Sequence, residues 1–152
     1  MQALAKQLPE GVELKKVHVD FLRQSSPEIQ ATLARAYLVG KNLGKGDEVA
    51  NAFFRYIHVD HKAFANDDDI KAVVVATGID AATYDKAIKS FSVAGGAKQM
   101  KKEQDTMSAR RVLTSVPTFI INGKYKIKVE GLGRENADEE FKQLVNFLLT
   151  QS

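Results

Sequence analysis

The chain has 152 residues, of which 44% are apolar and 27% charged, a composition that is ordinary for one globular domain. No apolar run approaches the ~18 residues that a membrane-spanning helix needs. The net charge of +3 is spread over 22 basic and 19 acidic residues, whereas a nucleic-acid-binding protein usually concentrates its charge on one face. The chain has no cysteine, which excludes a disulfide, a thiolate zinc site and a cysteine nucleophile within these residues.

The first residues are predicted to form the end of a helix, which Pro9 and Gly11 terminate. Residues 1–8 have no basic leader and no uninterrupted apolar stretch, so they do not read as a signal peptide. Composition therefore leaves the compartment open. Residues 12–21 are predicted to form a strand with Leu14, Val17 and Val19 as its apolar positions.

Five helices are predicted next. Ser26 caps the first, with Pro27 at its first position, and it runs to about residue 43. Asp47 is predicted to cap the second, residues 67–69 to open the third, and Asp80 to cap the fourth; the fifth runs from about 93 to 110. Helical spacing predicts these inward-facing residues: Ile29, Leu33, Ala36, Tyr37, Gly40, Val49, Ala52, Phe53, Tyr56, Ile57, Tyr84, Ala87, Ile88, Phe91, Val93, Ala97, Met100 and Met107.

The pattern then changes to a hairpin and a last helix. Asn122-Gly123 separates the apolar stretches 118–121 and 124–127, which predicts two strands joined by a turn whose residues have positive φ. An amphipathic helix follows, with Phe141, Leu144, Val145, Leu148 and Leu149 on one stripe. This order predicts an α/β protein in which residues 26 to about 92 form a helical insertion.

Four pieces of sequence carry a resemblance: Leu8 to Val12 with Lys16 to Phe21, Gly78 to Asp80 with Tyr84-Asp85, Val116-Pro117 with Phe119 and Asn122-Gly123-Lys124-Tyr125, and Val145 to Thr150. In this order and at these spacings they resemble the DsbA-type thiol:disulfide oxidoreductases over essentially the whole chain. The resemblance implies a thioredoxin-like fold with an inserted helical subdomain. It divides the chain into thioredoxin-like parts at 1–25 and 93–152 and a helical insertion at 26–92.

The resemblance also implies what lies outside the matched residues. In the family, the first strand, the Cys-x-x-Cys motif and the start of the active-site helix precede the position that Met1 matches, so the chain is expected to be truncated. Without cysteines it has no catalytic residue for dithiol exchange and is expected to be redox-inactive alone. Without the first strand, the strands at 12–21 and 118–121 are expected to rearrange, or to form a homodimer or exchange strands through the gap.

The function that the resemblance implies is part of a periplasmic oxidoreductase that introduces disulfides into secreted proteins and is reoxidised by a membrane partner, with no cofactor. Its substrate-binding residues would be Val116, Pro117 and Thr118, where the family has a cis proline and the preceding residue offers its backbone to an extended peptide. The simpler alternative for Pro117 is a trans proline at the start of a strand. The alternative function is a cysteine-free thioredoxin-like module that binds peptides without catalysis.

Other candidate sites are weaker. His58 and His61 have the spacing of metal ligands on a helix but lack a third ligand, so a solvated helix end is favoured and no metal is expected. His18 is expected to pack or to form a hydrogen bond. Basic residues at 98, 101, 102, 110 and 111 have no interleaved aromatic residues, which favours a solvated helix face over a nucleic-acid partner.

Overall fold

The computed structural model describes residues 8–22, 25–133 and 135–151, so the helix predicted over 1–8 lies outside the described residues except for Leu8. The chain folds into two compact units. One comprises the residues up to Lys16 together with those from Thr106 onward, and the other comprises Val17–Asp105. The division into 1–25, 26–92 and 93–152 stays a prediction.

The unit from Val17 to Asp105 is built from helices. They are α1 (Pro27–Asn42), α2 (Gly46–Phe54), a π-helical turn (Arg55–Val59), α3 (Asp67–Ala76), α4 (Ala81–Ala87) and α5 (Phe91–Ala109), whose last turn belongs to the other unit. All five predicted helices are therefore confirmed. The π-helical turn was not predicted, because the apolar spacing of α2 continues through it without a break.

Local caps explain where three of these helices begin. The side chain of Ser26 accepts a hydrogen bond from the Ile29 amide, and that of Asp80 accepts one from the Thr83 amide, as predicted. Helix α3 begins with a reciprocal cap, in which Asn66 accepts from the Asp69 amide and Asp69 accepts from the Ala65 amide.

The prediction that Asp47 caps α2 is wrong. The helix begins two residues earlier than predicted, at Gly46, with Lys45 in the cap position and no side-chain cap. Asp47 lies instead in the first turn, where its charge is favourable to the helix dipole.

The core of the helical unit is a continuous apolar cluster that excludes water, and the predicted helix faces form about half of it. Leu38, Val39, Phe64, Ile70, Val74 and Ile79 belong to it without having been predicted. Phe91, also predicted to face inward, is 94% exposed, so that prediction is wrong. Helix α4 ends at Ala87 and Phe91 begins α5, so the spacing that predicted its direction does not extend to it. The fully or nearly buried apolar residues of the cluster are Ala36, Tyr37, Leu38, Val39, Val49, Phe53, Phe64, Ile70, Val74, Ile79, Tyr84, Val93 and Met100.

The strand predicted over 12–21 is not formed. Exposure alternates along 11–17, but none of these residues joins the sheet, whose only strands among the described residues are β1 (Phe119–Ile121) and β2 (Tyr125–Ile127). Strand structure requires hydrogen bonds to a neighbouring strand, and no described strand pairs with this segment.

The unit that includes Thr106–Ser152 contains this hairpin, a 3-10 turn (Val129–Gly131) and helix α6 (Ala137–Leu149). The strands are antiparallel, with Phe119 opposite Ile127 and Ile121 opposite Tyr125. The turn residues Asn122 and Gly123 have φ values of 51° and 67°, as predicted.

Helix α6 packs on one face of the hairpin. The Phe119 ring meets the Phe141 ring edge to face, with centroids 4.7 Å apart, and Ile127 is buried on the same face of the sheet. This packing fixes the direction of β1 and of the loop that leads into it.

Candidate functional site

The candidate site is the loop between α5 and β1, residues 112–118. The chain leaves α5 through Arg111, whose φ is 56°, and the amides of Val112 and Leu113 both donate to the carbonyl of Met107, at 2.9 and 3.2 Å. These bonds satisfy a carbonyl at the helix end and direct the chain away from the helix axis.

The three predicted site residues lie at the end of this loop. The peptide bond between Val116 and Pro117 is cis, which confirms the predicted isomer. Residues 114–117 are exposed, and the side chain of Val116 is accessible although apolar. The Thr118 hydroxyl donates to the Ser115 carbonyl at 2.5 Å, so the threonine side chain turns back across the loop. Their role in substrate binding stays a prediction.

The loop continues directly into an open sheet edge. Strand β1 pairs with β2 on one side, and within residues 8–22, 25–133 and 135–151 no strand pairs with its other side. An edge of this kind presents backbone N–H and C=O groups that can pair with another extended chain. The exposed loop and the open edge of β1 are therefore consecutive in the chain.

Lys126 supports the loop from the hairpin. Its ammonium donates to the Val112 carbonyl at 2.7 Å and to the Thr114 hydroxyl at 3.3 Å. A shallow cavity of about 220 Å³ lies between the loop and the segment after β2. Its walls include Pro117, Thr118 and Lys126.

Sequence reasoning did not find Lys126. The available signal was the alternation of Lys124, Lys126 and Lys128 with Tyr125 and Ile127, which places the lysines on the face opposite Ile127. That alternation does not indicate where Val112 and Thr114 lie, because their position depends on how the chain turns at the end of α5.

Two of the three histidines pack against aromatic rings. The His18 ring packs on that of Tyr37, with centroids 4.4 Å apart, which confirms its expected packing role. The His58 ring packs on that of Phe54 at 4.6 Å. Across the described ranges, no three histidine, cysteine, aspartate or glutamate side chains form a group that could hold a metal ion.

A cis-proline loop leading into an antiparallel hairpin packed on a final helix, with a helical segment ahead of it in the chain, defines a thioredoxin-like protein with a helical insertion. The sequence model of the DSBA-like thioredoxin domain matches residues 1–142. The chain belongs to the DSBA-like thioredoxin domain family, whose members are thiol:disulfide oxidoreductases.

Individual proteins of this family are similar to the chain over nearly its whole length. The chain is 36% identical over 152 residues to the thiol:disulfide interchange protein DsbA of Dickeya dadantii, covering 98% of this chain and 69% of that protein. It is 31% identical over 153 residues to the protein of the same name from Yersinia pestis, covering 99% and 70%.

Solved structures show the same fold. The disulfide oxidoreductase DsbA from Proteus mirabilis matches with a TM-score of 0.82 at 30% identity, over 99% of this chain and 76% of that one. A cysteine-to-serine variant of the same protein, in complex with the non-covalently bound peptide PWATCDS, matches with a TM-score of 0.82 at 28% identity, over 99% and 78%.

None of the helices in the described part of the chain is both long enough and apolar enough to cross a membrane.

Proposed function

We propose that this chain provides the peptide-binding part of a periplasmic thiol:disulfide oxidoreductase that introduces disulfides into secreted proteins. The observation that carries the proposal is the loop at Val116, Pro117 and Thr118, in which residues 114–117 are exposed. An extended polypeptide can pair with the backbone of such a loop through hydrogen bonds, so it can be recognised with little dependence on its sequence. The complex of the Proteus mirabilis relative with a non-covalently bound peptide supports peptide binding in this family.

The chain alone does not perform the exchange reaction. Thiol–disulfide exchange begins with the attack of a thiolate on a disulfide sulfur, and these 152 residues contain no cysteine to supply one. A dithiol-oxidation assay with the purified chain should therefore give the rate of the buffer. Turnover above that rate would contradict this part of the proposal.

Peptide binding is tested at Val116. Fluorescence anisotropy of a labelled, cysteine-free extended peptide should give saturable binding. Val116→Asp should raise the Kd about tenfold, a loss of about 1.4 kcal/mol, because a charge replaces an accessible apolar group beside the bound chain. The substitution should not unfold the protein, since the side chain is already accessible.

The matched control is Val59→Asp, the same change at an exposed valine of the helical unit. It should leave the Kd unchanged. Equal Kd values for the wild type and both variants would show that Val116 does not contribute to peptide binding.

A second function, a cysteine-free module that holds peptides without taking part in exchange, is favoured by the absence of cysteine. The intact mass of the protein isolated from its natural source separates the two functions. A mass above 16.8 kDa, with an additional segment that contains Cys-x-x-Cys, would support the oxidoreductase, and a mass of 16.8 kDa would support the independent module.

The open edge of β1 also supports self-association, in which two copies pair their edges. Light scattering should then give twice the 16.8 kDa of one chain. A mass of one chain at concentrations near 100 μM, a range in which weak dimers form, would exclude this mode.

A further inference from the structure

The unusual feature of the hairpin is where one of its lysines lies. Ile120 is opposite Lys126 in the register, so these two side chains lie on one face, while Phe119 and Ile127 lie on the face that α6 covers. A lysine at such a position ordinarily extends into water. Here the Lys126 ammonium instead reaches the Val112 carbonyl at 2.7 Å and the Thr114 hydroxyl at 3.3 Å.

The neighbouring lysines do not share this arrangement. Lys124 and Lys128 are exposed, and in the described part of the chain neither side chain forms a hydrogen bond or an ion pair. Lys126 is therefore distinguished from two residues of the same type and charge, two positions away on either side.

The contacts of Lys126 occur at one end of the loop. Val112 is where the chain leaves α5, and Thr114 is two residues from Val116. The other end is joined to the loop by the Thr118 hydroxyl, which bonds to the Ser115 carbonyl. With both ends held, the segment between them has fewer conformations, so less entropy is lost when it binds a partner.

We propose that Lys126 is a positioning residue, which holds the loop at 112–118 in one shape by bonding Val112 and Thr114. Its effect on peptide affinity rests on the proposed function, whereas its effect on the loop does not. The bonds come from a charged donor, and such bonds contribute more than those between neutral groups.

The test compares Lys126→Met with Lys126→Arg and with the control Lys124→Met, which removes the same charge at the hairpin turn. Hydrogen exchange at the amides of Val112 and Leu113, which donate to the Met107 carbonyl, reports the loop directly. Lys126→Met should speed this exchange about tenfold, as expected for the loss of a hydrogen bond to a charged group. Lys126→Arg should restore most of the protection, and Lys124→Met should have no effect.

Peptide affinity is the second readout. Lys126→Met should raise the Kd of a neutral, cysteine-free peptide about fivefold, whereas Lys124→Met should leave it unchanged. A neutral peptide avoids a direct effect of the lost charge. Thr114→Val, which removes the hydroxyl acceptor alone, should produce a smaller change in the same direction.

The outcomes separate the two proposals. Unchanged loop exchange in Lys126→Met, or the same acceleration in Lys124→Met, would overturn the positioning role. Faster loop exchange in Lys126→Met alone supports it, even where the wild-type chain binds no peptide. Absence of wild-type binding would instead refute the proposed function.

Discussion

Gln104 and Asp20 bond to each other twice across 84 positions of sequence. The Asp20 amide donates to Gln104 Oε1 at 2.8 Å, and Gln104 Nε2 donates to the Asp20 carboxylate at 2.6 Å. Gln104 is 5% exposed, so both polar ends of its side chain are satisfied by one partner away from water. The pair joins the segment after Val17 to helix α5, within the helical unit.

Gln104→Ala should lower the free energy of unfolding by about 1–3 kcal/mol, because the Asp20 amide loses its partner and the Asp20 carboxylate, which also pairs with Lys101, loses one of two. Urea unfolding followed by circular dichroism measures this loss. Gln99→Ala is the control, since that glutamine lies on the exposed side of the same helix and bonds only to Glu103 there. It should change the stability by about 0.5 kcal/mol or less. Equal losses in the two variants would mean that the Asp20 contact contributes nothing.

The helices could be predicted from sequence because their signals are local. Ser26 and Asp80 bond to amides three residues away, and Asn122-Gly123 supplies its turn through its own backbone preferences. The segment 12–21 has strand-like alternation, yet strand structure also requires a partner that the sequence of the segment cannot specify. Gln104 could not be predicted as a buried residue, because glutamine is usually exposed and its partner is distant in the chain.

The candidate site was also predicted only in part from the sequence. Val116, Pro117 and Thr118 were predicted as site residues through the resemblance, since their order relative to Asn122-Gly123 is a property of the sequence. The cis bond also followed from the resemblance, because most X-Pro bonds in folded proteins are trans. The contact of Lys126 with Val112 depends on how two segments fold against each other, and neither segment indicates it alone.

Ionisation of the buried Tyr84 should make the stability of the protein depend on pH in the alkaline range. Its side chain is almost fully buried, and burial, together with the charges of Asp67 and Asp85, raises its pKa to about 12. Tyrosine in an unfolded chain has a pKa of about 10. Between pH 10 and 12 the unfolded state therefore loses a proton that the folded state keeps. The stabilising contribution is complete below pH 10 and is lost as the pH rises toward 12.

The decrease attributable to Tyr84 should be on the order of 2–3 kcal/mol across that window. Urea unfolding at pH 9, 10, 11 and 12 measures it, and Tyr84→Phe keeps the ring while it removes the titrating hydroxyl. The variant should therefore lose less stability than the wild type over the same window, although lysines and the other tyrosines titrate in both proteins. Parallel pH profiles for the two proteins would show that Tyr84 ionises equally in the folded and unfolded states.

Two glycines with open surroundings should respond in opposite directions to the same substitution. A Cβ at Gly123 or at Gly95 would meet no atom within 4 Å, so sterics with neighbours do not decide either case. Gly123 has a φ of 67° in the hairpin turn, a conformation that costs alanine about 1 kcal/mol, so Gly123→Ala should destabilise the protein. Gly95 lies within α5, where alanine is favoured over glycine by about 1 kcal/mol, so Gly95→Ala should stabilise it. Urea unfolding of both variants tests the signs, and a stabilising Gly123→Ala would show that the hairpin turn does not have the left-handed conformation in solution.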